Sequence, residues 1–358
     1  MDMTISGLPT PAILMDVRAA GRNIRWMQAR CDATGTALWP HCKTHKLIPV
    51  LRMQLEAGAA GATVAKVSEA ETLIDAGLRR LFVAHSLVSP GVAPRLKSLA
   101  GRLDELVLAV TSPGQYHALA RILDEADLDA DIALAVDTGL DREGARSPEC
   151  ARALSGTIRA NRRMNLRAIY THEGHAYSTE GSLAEFAGLI HENLLRFREA
   201  IGGNLPLWPG CSVTAFEMCG REGVEVVRPG AYVFGDLNLC ETHPVIPWEN
   251  AAVTVLSTVV DRPVDTLALI DAGSKVFSSD RSRSGLLGRS ADGGGCEVFR
   301  ASEEHGFVRG TVLPEVGDRR RFVPAHICPV LNLTDEVHVV DGSDIISRWR
   351  VDARGKTT

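Results

Sequence analysis

The 358-residue chain contains no Cys-x-x-Cys pair. Its eight cysteines are scattered, a pattern expected of reduced thiols in a cytoplasmic protein rather than of a disulfide framework. It also lacks a basic excess. The formal net charge is -5 with the signs interspersed, so there is no basic face for nucleic acid. No uninterrupted apolar run reaches the length of a membrane span. Residues 1–10 have neither a basic stretch nor an apolar one, so no signal peptide is expected. Internal repeats and low-complexity segments are absent. What remains is the composition of a soluble globular protein, 45% hydrophobic and 23% charged, long enough for one large domain or two ordinary ones.

Apolar, strand-like runs recur at 36–39, 62–66, 81–85, 105–110, 131–137, 166–170, 206–208 and 224–227. Amphipathic stretches separate most of them. Ser68 with Glu71 has the spacing of a capping box, and Ser112-Pro113 and Ser147-Pro148 read as an N-cap followed by an N1 proline. Gly58 and Gly77 stand where helices should stop. Eight strands alternating with helices fit a (β/α)8 TIM barrel, with a doubly wound open sheet as the competing arrangement. Past Pro244 the texture changes. Short β-branched runs at 252–260, 266–270, 297–300, 321–327, 336–340 and 345–351 predict a C-terminal all-β domain. The expected division is 18–244 for the barrel and 245–358 for the β domain, with strand 12–16 of segment 1–17 packing on the latter. The glycine-rich stretch 285–295 reads as a loop.

In a barrel the functional residues sit at the C-terminal ends of strands. Pro40-His41-Cys42-Lys43-Thr44-His45-Lys46 follows the first strand. Taken alone, Lys43 is either a solvated surface charge or an amine nucleophile for a carbonyl group. Arg142 follows strand five, and His172, His175 and Tyr177 follow strand six. Ser212 follows strand seven, and Arg228, Gly230 and Ala231 follow strand eight. Small residues with exposed amides after strands seven and eight are a common phosphate seat in barrels. A lysine and a phosphate cradle in one mouth suggest pyridoxal phosphate bound to that lysine. Read singly, these residues are equally turn glycines, polar loop histidines and a surface arginine.

A second candidate is His326-Ile327-Cys328-Pro329. If the segment is a strand, residues i and i+2 point to one side, and imidazole and thiolate could share a metal ion. That pairing suits zinc, or manganese or another divalent ion with water completing the shell. A buried cysteine beside an incidental histidine is the competing reading.

Together these motifs resemble the D-threonine aldolase and D-serine dehydratase family, fold-type III pyridoxal phosphate enzymes related in architecture to alanine racemase. Residues 40–46 resemble its P-H-x-K-T-H-K signature. Further likeness lies in 10–12, 66–71, 136–139 with Arg142 and Gly144, 228–230 with Tyr232, 271–275, 304–306, and His326-x-Cys328-Pro329 with Asn332, Leu333 and Asp335. Trp39 departs from the arginine usual before Pro-His, and 210–214 is a loose version of the usual G-S-T-P-T loop. The resemblance implies a homodimer, with Lys43 as the Schiff-base lysine and Arg142 near the cofactor's phenolic oxygen. It implies that Ser212, Gly230 and Ala231 contact phosphate, and that Arg228 faces the pyridine nitrogen. His326 and Cys328 would hold a divalent ion, manganese, zinc or magnesium, beside the cofactor.

The implied reaction is a lyase reaction on a 3-hydroxy D-amino acid, with His172 or His175 as base for the hydroxyl. Retro-aldol cleavage to glycine and an aldehyde is favoured by the run 66–71. Dehydration of D-serine or 3-hydroxy-D-aspartate is the alternative, favoured by cysteine as second metal ligand. A racemase needs a second base, commonly a tyrosine of the β domain, and no tyrosine occurs past Pro244. A non-catalytic cofactor carrier would need neither the His326/Cys328 pair nor the β domain.

Overall fold

The computed structural model describes residues 4–358, and the chain forms two compact units. One comprises the N-terminal segment up to Trp26, Thr44–Pro49 and Ala231–Gly355. The other comprises Met27–Lys43, Val50–Gly230 and Lys356–Thr358. Strand β1 (Ala12–Asp16) belongs to the first unit.

The second unit holds β2 (Ala37–Leu38), β3 (Ala62–Val64), β4 (Arg80–Val83), β5 (Glu105–Val110), β6 (Ala130–Ala135), β7 (Met164–Tyr170), β8 (Leu207–Trp208) and β9 (Val226–Val227). Strands β3 to β8 form a continuous parallel sheet, and β2 pairs with β9, also in parallel. Single parallel bridges, His41 with Thr63 and Leu207 with Val224, join the two sheets end to end. Eight parallel strands therefore run round a TIM-like barrel. The short β2, β8 and β9 split it into two sheets.

Side-chain volume fills the interior. Trp39, Phe82, Tyr170 and Trp208 crowd one side, while Ala109, Ala133, Ala135 and Ala168 leave room opposite. The aromatic rings meet at 5.0–5.7 Å between centroids, tilted or edge-on as their quadrupoles prefer. Large residues facing small ones let the layer interdigitate without a void.

Start signals held at two sites and failed at one. The hydroxyls of Ser112 and Ser147 accept from the amides of Gln115 and Cys150, each before a proline at the helix start. Ser68 and Glu71 form no capping box. The helix Val67–Leu73 begins earlier, and Glu69 accepts from the amides of Ala65 and Lys66 at 2.8 and 3.2 Å. Ser68 instead accepts from the Thr358 amide, and Glu71 pairs with Arg95.

In the first unit β1 joins β10 (Val253–Val264), β11 (Leu267–Ile270), β12 (Gly288–Ser290), β13 (Glu297–Ala301), β14 (Gly306–Arg309), β15 (Arg319–Pro324), β16 (Glu336–Asp341) and β17 (Asp344–Arg350) in a nine-stranded sheet. Only β1 with β16 is a parallel pair. Two of these strands were not legible in the sequence. The expected loop 285–295 contains β12, which pairs with β13 and β15. Strand β14 also escaped the pattern. A third difference concerns 321–327: β15 stops at Pro324, and His326 caps a helix, Ile327–Leu333.

No helix among the described residues is long and apolar enough to cross a membrane.

Candidate active site

The turn after β2 is built by its own histidines. The His41 ring accepts from the Lys43 amide at 3.4 Å, and the His45 ring accepts from the Leu47 amide at 3.0 Å. Each ring thus serves a backbone N–H two residues on and fixes a one-turn 3-10 helix, Cys42–Thr44. That geometry directs Lys43 into a cavity of about 400 Å³. The same cavity is lined by His41, His85, Arg142, Tyr170, His172 and Arg228. Lys43, Arg142, His172 and Arg228, predicted to share one rim, therefore come together.

Arg228 is buried at the cavity wall with 3% exposure. Its Nη2 donates to the carbonyls of Thr171 and Trp208 at 2.6 and 3.1 Å, and its Nε to Trp208 at 3.3 Å. The guanidinium lies over Phe82 and Tyr170, 5.3 and 5.2 Å from their ring centres. Burial lowers its pKa to about 10, which leaves it charged at neutral pH.

His172 donates or accepts at Nδ1 with the Gly210 carbonyl. A carbonyl only accepts, so Nδ1 carries the hydrogen and Nε2 keeps its lone pair. Burial pushes the imidazole pKa down to about 3, helped by the charges of Lys43, Arg142 and Arg228. The ring is neutral at physiological pH, and the cavity wall carries Glu143 as well as Lys43, Arg142 and Arg228. His175 is not at this cavity. Its ring packs edge-on against Phe186, 5.0 Å between centres, and close to Gly139. Tyr177 stands in the same short helix, Gly174–Ser178, also outside the lining.

The loop after β8 is held from below by a residue that sequence reasoning passed over. Glu173 is fully buried, and its carboxylate accepts from the Gly210 amide at 3.0 Å and the Thr214 hydroxyl at 2.8 Å. Burial raises its pKa; these two bonds and the Arg228 charge oppose that rise. The only signal available was an acid between two histidines. The buried Ser212 hydroxyl accepts from the Gly230 amide at 3.0 Å, which ties the ends of the β8 and β9 loops. Ala231, next in the chain, is buried at the start of a one-turn helix.

His326 and Cys328 lie in the other unit. Because His326 is a helix N-cap, the same-face argument for a strand does not apply. The two side chains meet nevertheless, through a hydrogen bond between imidazole and sulfur. His326 Nδ1 lies 2.6 Å from Asp280 Oδ2, which fixes that nitrogen as a donor to the carboxylate. Burial opposes protonation of this ring, but Cys328, Asp236 and Asp280 together raise its pKa to about 10. Buried Asp236 accepts from the amides of Ile327 and Leu239 at 3.1 and 3.2 Å. Among the described residues no group of three or more His, Cys, Asp or Glu is placed to hold a metal. Cys328 Sγ is also 3.2 Å from the hydroxyl of Thr44, the residue that follows Lys43 in the chain.

Residues 15–238 match the family described as "Alanine racemase, N-terminal domain", and residues 252–340 match "Putative serine dehydratase domain". The chain is 27% identical to a D-threonine aldolase of Arthrobacter sp, over 98% of this chain and 94% of that one. It is 31% identical to a D-threo-3-hydroxyaspartate dehydratase of Delftia sp. (strain HT23), over 92% and 93%. Its fold is that of the solved D-threonine aldolase from Filomicrobium marinum, with TM-score 0.90 at 24% identity, covering 100% of this chain and 98% of that one.

Proposed function

Because the chain belongs to the family that carries the alanine racemase N-terminal domain, we propose that it is a pyridoxal phosphate-dependent, divalent metal-assisted lyase acting on 3-hydroxy D-amino acids. The observation that carries the proposal is the convergence of Lys43, Arg142, His172 and Arg228 on one cavity.

The donor set suits the cofactor. A primary amine is available for its aldehyde, Arg142 for its phenolic oxygen and Arg228 for its ring. Ser212 and the amides of Gly230 and Ala231 suit its phosphate. Bound there, pyridoxal phosphate supplies an electron-accepting ring conjugated to the substrate's Cα. His326 and Cys328 suit a divalent ion in donor type. A bound ion supplies the positive charge that acidifies a hydroxyl.

The chain's own residues then have defined tasks. Lys43 holds the cofactor and carries a proton to or from Cα. His172 Nε2, neutral and aimed from a fixed ring, takes the proton of the 3-hydroxyl. Glu173 positions both His172 and the phosphate loop through Gly210. Burial of Arg228 keeps its charge strong in a wall without competing water.

Of the two outcomes, retro-aldol cleavage to glycine and an aldehyde is the reading we favour. It needs the hydroxyl base that His172 provides. The dehydratase alternative rests on one residue, Cys328, as a metal donor. Incubation of the holoenzyme with D-threonine and D-serine, with and without EDTA, tests both. Glycine and acetaldehyde from D-threonine, lost with EDTA, are expected. Pyruvate from D-serine without aldehyde from D-threonine would reverse the choice. The assembly is proposed to be a homodimer, checked by light scattering.

A further inference from the structure

We propose that Cys31 and Cys219 are a site of reversible oxidative modification, a dithiol that a hydroperoxide converts into a disulfide at the base of the barrel. The inference goes beyond the lyase reading and does not depend on it.

Both residues belong to the same unit. Cys31 lies in the last turn of the helix Val17–Thr34, and Cys219 caps the end of the short helix Ala215–Met218. Each precedes a strand, Cys31 before β2 and Cys219 before β9, and those strands pair in parallel. The two cysteines therefore sit opposite the mouth onto which Lys43 opens, on the face of a barrel that serves stability. Both are free thiols, and their sulfurs are 3.8 Å apart. Neighbouring contacts fix that approach. Arg30 Nε donates to the Phe216 carbonyl at 3.2 Å, and the Gly220 amide donates to the Thr36 hydroxyl at 3.0 Å. A Cβ on Gly220 would lie 3.1 Å from the Thr34 Cβ, so the chain beyond Cys219 passes the first helix at a distance that suits glycine.

The two sulfurs are not equivalent. Cys31 donates its hydrogen to Cys219, and the Arg30 charge and the Thr34 hydroxyl add to that pull, so the Cys219 thiol ionises more readily than usual although burial opposes it. The same contact, together with burial, raises the Cys31 pKa, and Cys31 keeps its proton. Cys219 also retains 4% of its surface, against 0% for Cys31. A thiolate with a narrow opening and a thiol in contact behind it is the arrangement of a nucleophile and its resolving partner. With hydrogen peroxide, the Cys219 sulfur attacks one oxygen and the O–O bond breaks. Cys219 becomes a sulfenic acid and a water leaves. The Cys31 sulfur then attacks the Cys219 sulfur, its proton goes to the departing hydroxide, and a second water leaves. The two thiols lose a pair of electrons and their two hydrogens, and the peroxide is reduced to water. The new bond closes a loop spanning 188 residues, which restricts the unfolded chain.

The test uses the full-length protein, reduced, freed of reductant and treated while folded with a small molar excess of hydrogen peroxide. Remaining thiols are blocked with N-ethylmaleimide in denaturant, and peptides are mapped without reduction. The expected product is a peptide pair joined through Cys31 and Cys219, returned to free thiols by dithiothreitol. The oxidised protein should melt several degrees above the reduced one, and dithiothreitol should reverse that shift. In C31S, dimedone should trap a sulfenic acid at Cys219. In C219S, neither the crosslink nor a dimedone adduct at Cys31 should form. The wild-type map needs no variant, so it decides even if a serine substitution harms folding. Free thiols at both positions, after a dose that oxidises the exposed Cys150, overturn the proposal. So does a crosslink that forms only when denaturant is present during oxidation, or dimedone labelling of Cys31 in place of Cys219.

Discussion

Gly210 and Arg228 are locked together: a Cβ on Gly210 would lie 2.6 Å from the guanidinium carbon of Arg228. The arginine can occupy the cavity wall only because that position has no side chain. Gly210→Ala should therefore displace a buried cation that is hydrogen-bonded on two backbone carbonyls. Overpacking of this kind costs about 1–3 kcal/mol. A lower melting temperature and weaker retention of cofactor on dialysis are the expected results.

Glu173→Leu removes both acceptors and leaves the buried Gly210 amide without a partner, at about 1–3 kcal/mol. Denaturant unfolding should register that loss. Cofactor affinity should fall as well, because Gly210 begins the loop proposed to hold phosphate.

His172 makes stability depend on acid. Its folded pKa of about 3 lies below the unfolded value of 6.5. Below pH 6.5 the unfolded chain therefore binds a proton that the folded chain refuses. Stability from this group is complete above 6.5 and declines as pH falls toward 3, by at most about 1.4 kcal/mol per pH unit. His172→Gln should flatten that limb in urea titrations of the apoprotein, and should lower lyase activity by about a hundredfold or more.

His326→Ala and Cys328→Ala should each abolish tight metal binding, measured as metal content after dialysis. Asp280→Asn keeps both donors and removes only the charged partner of His326 Nδ1. Loss of such a partner typically costs about 10–100-fold in metal affinity.

Much of this was legible in the sequence because strand ends in a barrel collect at one mouth. Once the strands were placed, Lys43, Arg142, His172 and Arg228 had to converge. The β12 strand was hidden by its composition, Gly-Arg-Ser, whose pairing is set by its neighbours and not by side-chain pattern. His326 was misread as strand because the short helix Ile327–Leu333 is apolar on nearly every side and has no period to detect. The Cys31–Cys219 contact was beyond reach for another reason. It joins residues 188 positions apart in the chain, which no local pattern encodes. Glu69 rather than Ser68 caps its helix because a carboxylate two residues into the turn reaches back to two amides at once.

The central claim is that Lys43 is the residue that carries the cofactor. Borohydride reduction of the holoenzyme, followed by peptide mass mapping, tests it most directly. The account predicts a phosphopyridoxyl group on the peptide containing Lys43, with loss of the visible absorbance, and no labelling in Lys43→Ala. Labelling of Lys66 or another lysine in place of Lys43, or no labelled peptide from cofactor-loaded protein, would contradict it.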